Sequence, residues 1–245
     1  MKELTQQLLA YCRRLPADKA AAVDAHVLDS LYSVYPFNKF EYIISNLIAG
    51  GVMTLDDYLT VRSDYINRNR YLYLYELAPR TFGETWGQRH LMELVPEFAV
   101  PQRRLDPTFS GEYDLWLDGI KVEVKASRAV RRQAGDNLAE KALPRGTTEQ
   151  FDMNFQQLKP DCCDVFVWIA VWRDRIDYWI IPSDAVKSNR HFSNQHRASR
   201  LTDAGDVVEG QIHIKKANYH DFEPYRARPD EIRQKILGLR AEGKI

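Results

Sequence analysis

The chain has no excess of charge of either sign. Its 34 Lys and Arg balance 34 Asp and Glu over 245 residues, so the formal net charge is zero. This excludes a uniformly basic coat for indiscriminate nucleic-acid binding. It leaves room for a local basic surface, because the field depends on where charges sit. Cysteine is scarce: Cys12, Cys162 and Cys163 are the 3 present, with no C-x-x-C spacing among them. That pattern supports neither a disulfide scaffold nor a structural zinc site. The adjacent Cys162 and Cys163 are expected to pack beside a buried strand, and a cytoplasmic location is expected. No run of about 18 apolar residues occurs, so no membrane span is expected. The first residues do not read as a secretory signal, since they lack a long apolar stretch followed by a small-residue cleavage site. His26, His90, His213 and His220 show no metal-ligand spacing. Gly50-Gly51 lacks the Lys-Ser/Thr arrangement of a phosphate loop, and no G-x-S-x-G element marks a serine hydrolase.

What is present is ordinary globular material, 44% hydrophobic and 28% charged, enough for one large core with a smaller attachment. Residues 1–78 read as a helical subdomain and residues 79–245 as an α/β core with a C-terminal recognition extension. Leu4, Leu8 and Leu9, then Val23, Val27, Leu28 and Leu31, recur at helical spacing. Thr54 and Asp57 form a helix-start signal, because a hydroxyl caps free N–H groups and an acid favours the positive helix end. Pro79 stops that region. A helix is predicted from Thr81 to Val95, with Leu91, Leu94 and Val95 on the face that continues back through Gly87 or Gln88 to Glu84. Glu84 is therefore the carboxylate expected to point toward the core. Phe98–Arg103 reads as a short strand, Thr147–Leu158 as a helix, and Pro229–Leu239 as a closing helix. The almost continuously apolar run Asp164–Trp172 suits a strand buried on both faces, and Arg175–Ile181 reads as its neighbour.

Two further strands, Tyr113–Leu117 and Ile120–Ala126, flank Asp118-Gly119. That pair is a strong hairpin signal, because glycine accepts the positive φ of a type I′ turn. With those two residues in the turn, Leu117 faces Ile120, and continuing the pairing outward sets Asp114 opposite Glu123. Facing residues have Cβ atoms roughly 4.5–5.5 Å apart, and two carboxylates at that distance repel. A hard divalent cation between them resolves the conflict, since Mg²⁺ prefers oxygen ligands. Lys125 lies on the same face as Glu123, whereas Ile120, Val122, Val124 and Ala126 form an apolar floor. A metal held by Asp114 and Glu123 would lower the pKa of water and polarise a phosphate oxygen. Lys125 would orient the water and offset developing charge. The carbonyl of Val124 and the carboxylate of Glu84 are candidate additional ligands. The alternative is an amphipathic surface hairpin with solvated charges.

Asp114, eight intervening residues and then Glu123-Val124-Lys125 resembles the signature of the PD-(D/E)XK nuclease superfamily. The order of elements over about residues 81–182 is similar to that superfamily's αβββαβ core. Size and flanks look most like a type II restriction endonuclease. One departure is Tyr113, which stands where the family's motif has Pro. The resemblance implies a restriction-endonuclease-like α/β fold with a mixed central sheet and Mg²⁺ as cofactor. It also implies hydrolysis of double-stranded DNA at a short site by a homodimer.

Candidate DNA contacts follow the motif. Residues 126–145 carry Arg128, Arg131, Arg132, Lys141 and Arg145 against two acids, and residues 185–200 carry four Lys or Arg and no acid. Phosphate contacts from such segments give salt-sensitive affinity. Within Ser193–Arg197, the side chains of Asn194, Gln195, His196 and Arg197 are suited to base edges in the major groove. A solvated surface loop is the competing reading. Gln156 and Gln157 are placed on the helix after the motif, where ordinary helix surface is the simpler role. Two other functions stay open at this point. One is a structure-specific or repair nuclease of the same superfamily; the other is a non-catalytic nucleic-acid-binding protein with the same fold.

Overall fold

The computed structural model describes residues 34–132, 137–194 and 209–245, with isolated positions 7, 10, 11, 13, 14, 16, 201, 202, 205 and 206. The chain divides into two compact units, Met1–Ser63 and Asp64–Ile245. The first unit contains α1 (Glu41–Ala49) and most of α2 (Leu55–Arg68). The start of α2 follows the sequence signal. The Asp57 N–H donates to Thr54 Oγ1 (3.0 Å), and the Asp57 carboxylate accepts from the Thr54 N–H (2.9 Å), a reciprocal cap.

In the larger unit a continuous helical segment runs from Thr81. Residues Thr81–Trp86 are in π geometry, and α3 (Gly87–Leu94) continues them. The strands follow: β1 (Leu115–Leu117), β2 (Ile120–Arg128), β3 (Val130–Arg131), the short helix α4 (Leu138–Lys141), β4 (Phe151–Leu158), β5 (Val165–Val171) and β6 (Ile176–Pro182). After them come α5 (Ser183–Lys187), β7 (Phe192–Asn194), β8 (Leu201–Thr202), β9 (Gly205–Asp206), β10 (Gly210–Lys215), β11 (Arg226–Ala227) and α6 (Ile232–Ala241).

The fold is mixed α/β. One sheet has the order β1-β2-β5-β6-β11, with β2 and β5 parallel and the other pairs antiparallel. A second, antiparallel sheet has the order β3-β4-β10-β7. The buried run behaves as its composition requires: all seven residues of β5 are buried. Alternate β5 residues Phe166, Trp168 and Ala170 join Phe151, Met153, Phe155, Ile212 and Ile214 of the second sheet in one core. Phe155 stacks on Trp168 with ring centroids 4.4 Å apart. On the opposite face of the first sheet, Gly87 of α3 lies over Val124, Ala126 and Ile169.

Two predicted elements are corrected. Residues 151–158 form strand β4, not part of a helix over Thr147–Leu158, so the parallel β2-to-β5 crossover carries a β layer instead of the single helix of an αβββαβ order. Pairing with β10 decides the matter, because Phe151, Met153 and Phe155 then alternate inward while Asp152 and Asn154 stay partly exposed. Phe98–Arg103 contributes only the isolated bridge of Ala99 to Trp116. Residues 64–78, read with the helical subdomain, belong to the larger unit, where the Tyr75 hydroxyl donates to the carbonyls of Ala129 and Val171. Cys162 and Cys163 are free thiols, and Cys163 packs in the core as expected. No helix among the described residues is long and apolar enough to cross a membrane.

Candidate active site

The site is built by the β1–β2 turn. Asp118 and Gly119 both have positive φ (49° and 91°), as a type I′ turn demands. The register is Leu117 to Ile120, Trp116 to Lys121 and Leu115 to Val122. One step beyond the ladder, the Asp114 N–H donates to the Val122 carbonyl (3.1 Å). Its side chain folds over β2, where Oδ2 accepts from the Val124 N–H (2.9 Å). The carboxyl groups of Asp114 and Glu123 are close enough for each to act on the other's protonation. Lys125 Nζ lies 2.7 Å from Glu123 Oε1, and both side chains are largely shielded, 19% and 12% exposed.

Electrostatics follow from burial. Desolvation raises the pKa of Asp114, against the Val124 N–H and the Lys125 charge, which pull it down. Desolvation also pushes Glu123 up to about 7; Lys125 opposes the shift and the neighbouring Asp114 adds to it. Glu123 is therefore protonated in part near neutrality. Two shielded carboxyl groups that both lose hydration form a place where a divalent cation would relieve the repulsion. The donor set fits Mg²⁺, which takes one or two carboxylates and keeps several waters. Among the described residues no group of three or more His, Cys, Asp or Glu is arranged to hold a metal.

Gln88 was missed as a site residue, although the face containing it was read from the helix spacing. Its Nε2 donates to Asp114 Oδ1 at 2.7 Å, so both oxygens of Asp114 are oriented by protein donors. Glu84 is corrected. Its side chain is 64% exposed and paired with Arg80 at 2.7 Å, on the open groove lined by Glu84, Thr85, Gln88, Arg89, Met92 and Glu93. With more than four residues per turn in the π segment, the buried face of Gly87 and Leu91 continues back to Phe82 and leaves Glu84 to solvent. Val124 enters the site through its N–H on Asp114, whereas its carbonyl was the group expected there.

The expected DNA contacts divide. Arg128 is corrected: it is 8% exposed, donates to the carbonyls of Leu77 (2.8 Å) and Tyr75 (3.4 Å), and lies 4.0 Å over the Phe82 ring. Burial lowers its pKa to about 10. Arg131 pairs with Glu149 at 3.3 Å, and Arg132 is exposed. Arg145 is bound to the buried Asp177 (2.7 Å), and Lys187 and Arg190 are paired with Asp161 and Asp221, each at 2.6 Å. The backbone of Asn194 pairs with Gly210 in β7–β10. Gln195, His196 and Arg197 lie outside the described residues. Gln156 and Gln157 are exposed on β4, at the bulge where its register to β10 shifts.

Comparison of the chain with protein-family models and with curated proteins finds no match.

Proposed function

We propose that this protein is a Mg²⁺-dependent nuclease that hydrolyses phosphodiester bonds of double-stranded DNA. Site-specific cutting of the type II restriction kind is the finer form of the proposal. The observation that carries it is the trio itself: Asp114 folded across a tight hairpin onto the Val124 N–H, between Glu123 and Lys125 in sequence, with Lys125 Nζ 2.7 Å from Glu123. A Mg²⁺ ion held by the two carboxylates supplies Lewis-acid polarisation of a phosphate oxygen and a more acidic water. Gln88 and the Val124 N–H fix the Asp114 carboxylate so that its oxygens do not rotate away. Lys125 keeps an ammonium group beside the reacting phosphate, where it orients the attacking water and offsets negative charge as the P–O bond breaks. The shielded β2 face limits competing solvent around these groups.

The direct test is incubation of unmethylated bacteriophage DNA with Mg²⁺ and the wild-type, Asp114→Ala or Lys125→Met protein. Discrete fragments from wild type, with cutting abolished by Asp114→Ala and reduced roughly 10²–10⁴-fold by Lys125→Met, are expected. Undiminished cutting by Asp114→Ala, or no cutting by wild type across varied DNAs, would overturn the proposal. A smear in place of discrete bands would support the nuclease and remove its site specificity.

A further inference from the structure

The segment between α3 and β1 is a closed loop. At its base, Ala99 and Trp116 exchange two backbone hydrogen bonds of 2.9 Å. At its centre is Asp106, only 6% exposed, which fills both carboxylate oxygens. Oδ1 accepts from the Thr108 N–H (3.0 Å) and hydroxyl (2.7 Å). Oδ2 accepts from the Tyr113 hydroxyl (2.9 Å) and pairs with Lys121 Nζ (3.2 Å). Phe109 packs edge-on against Tyr113 at 5.0 Å. Asp106 thus ties the loop to the residue immediately before Asp114 and to the residue two before Glu123. The anchor touches the hairpin just before β1, at Tyr113, and within β2, at Lys121.

The anchor holds a tip. The Gln102 carbonyl accepts from the N–H groups of Leu105 (2.8 Å) and Asp106 (3.0 Å), turning Gln102, Arg103 and Arg104 outward, all three exposed. Neither Arg103 nor Arg104 forms an ion pair with any described residue. The contrast with other arginines of the same unit is physical. Arg128 is buried, and Arg131, Arg145 and Arg190 are each met by a carboxylate. The braced backbone presents two neighbouring guanidinium groups, whose forked donors suit paired oxygen acceptors. Bracing lowers the ordering cost of using them.

Resting on the nuclease reading, we infer that loop 100–113 is a clamp for the DNA backbone. Arg103 and Arg104 grip phosphates beside the scissile bond, and Asp106 is the positioning residue that keeps the grip in register with the carboxylates. The partner follows from the chemistry: forked cations fixed to the hairpin that carries the metal ligands suit the polyanion being cut.

The test measures binding of sheared, unmodified bacteriophage DNA across a salt series, with Ca²⁺ replacing Mg²⁺, for wild type, Arg103→Gln/Arg104→Gln and Arg103→Lys/Arg104→Lys. The Gln pair should weaken binding roughly tenfold or more and flatten the slope of log affinity against log salt by about 2, one per lost phosphate contact. The Lys pair should recover most of the slope, and Ca²⁺ titration without DNA should be the same for all three. Asp106→Asn, checked for folding by circular dichroism, should lose affinity and slope though both arginines remain. An unchanged slope in the Gln pair, with wild type binding DNA, would overturn the clamp and leave the nuclease reading standing. Failure of wild type to bind DNA with Ca²⁺ would overturn both.

Discussion

At the residue scale, chemistry is set by how much water each charge retains. Glu123 and Lys125 lie 2.7 Å apart on a shielded face, and desolvation is the largest influence on Glu123, raising it to about 7. A raised folded-state pKa means the ionised carboxylate is penalised only in the fold. The stability present while Glu123 is protonated is lost as pH climbs from its ordinary value of 4.5 through about 7. Glu123→Gln should therefore be more stable than wild type at pH 8 in chelator, by on the order of 1–2 kcal/mol or a few degrees in Tm. At pH 4 the difference should shrink toward zero. Thermal unfolding at the two pH values checks this, and a pH-independent difference would contradict it. The same accounting reassigns Arg128. Carbonyls of Tyr75 and Leu77 and the Phe82 ring replace its hydration, so it braces the end of β2 and does not face a ligand.

At the element scale, the hairpin was legible because its information is local. Asp118-Gly119 between alternating apolar residues fixes turn type and register together, and the observed pairs are those the turn requires. Gly119→Val would force a β-branched residue to φ 91°, with its Cβ about 3.1 Å from Arg240 Nη1. A cost of about 2 kcal/mol is expected, with weaker divalent-cation binding because the register carries both acids. Urea unfolding and cation titration of the variant measure the two effects, and unchanged values in both would contradict the dependence of the site on the turn. Strand β4 was illegible for the opposite reason. Phe151, Phe155 and Leu158 fall at spacings of four and three, matching a helix, while Phe151, Met153 and Phe155 match a strand. The choice is made by pairing to β10, more than fifty residues away in sequence. Glu84 was misplaced by a π turn, which periodicity of 3.6 does not anticipate.

At the scale of the whole molecule, neutrality is distributed by the fold. The basic runs over 126–145 and 185–200 meet acids from distant segments: Glu149, Asp177, Asp161 and Asp221. Segment charge therefore did not reveal surface charge, whereas the neighbourhood of Glu123 and Lys125 on one strand, with Asp114 across a tight turn, is local and readable. The mixed sheet was anticipated from the apolar run of β5; the second sheet packed over it was not, since its strands join through non-local pairs. The central claim is that Asp114 and Glu123 share one divalent cation. Calorimetric titration of Mn²⁺ into the whole chain, wild type beside Asp114→Asn and Glu123→Gln, tests it most directly. One site in wild type, accompanied by proton release near pH 7 and lost in each variant, is the predicted result; equal binding by all three proteins, or none by wild type, would contradict it.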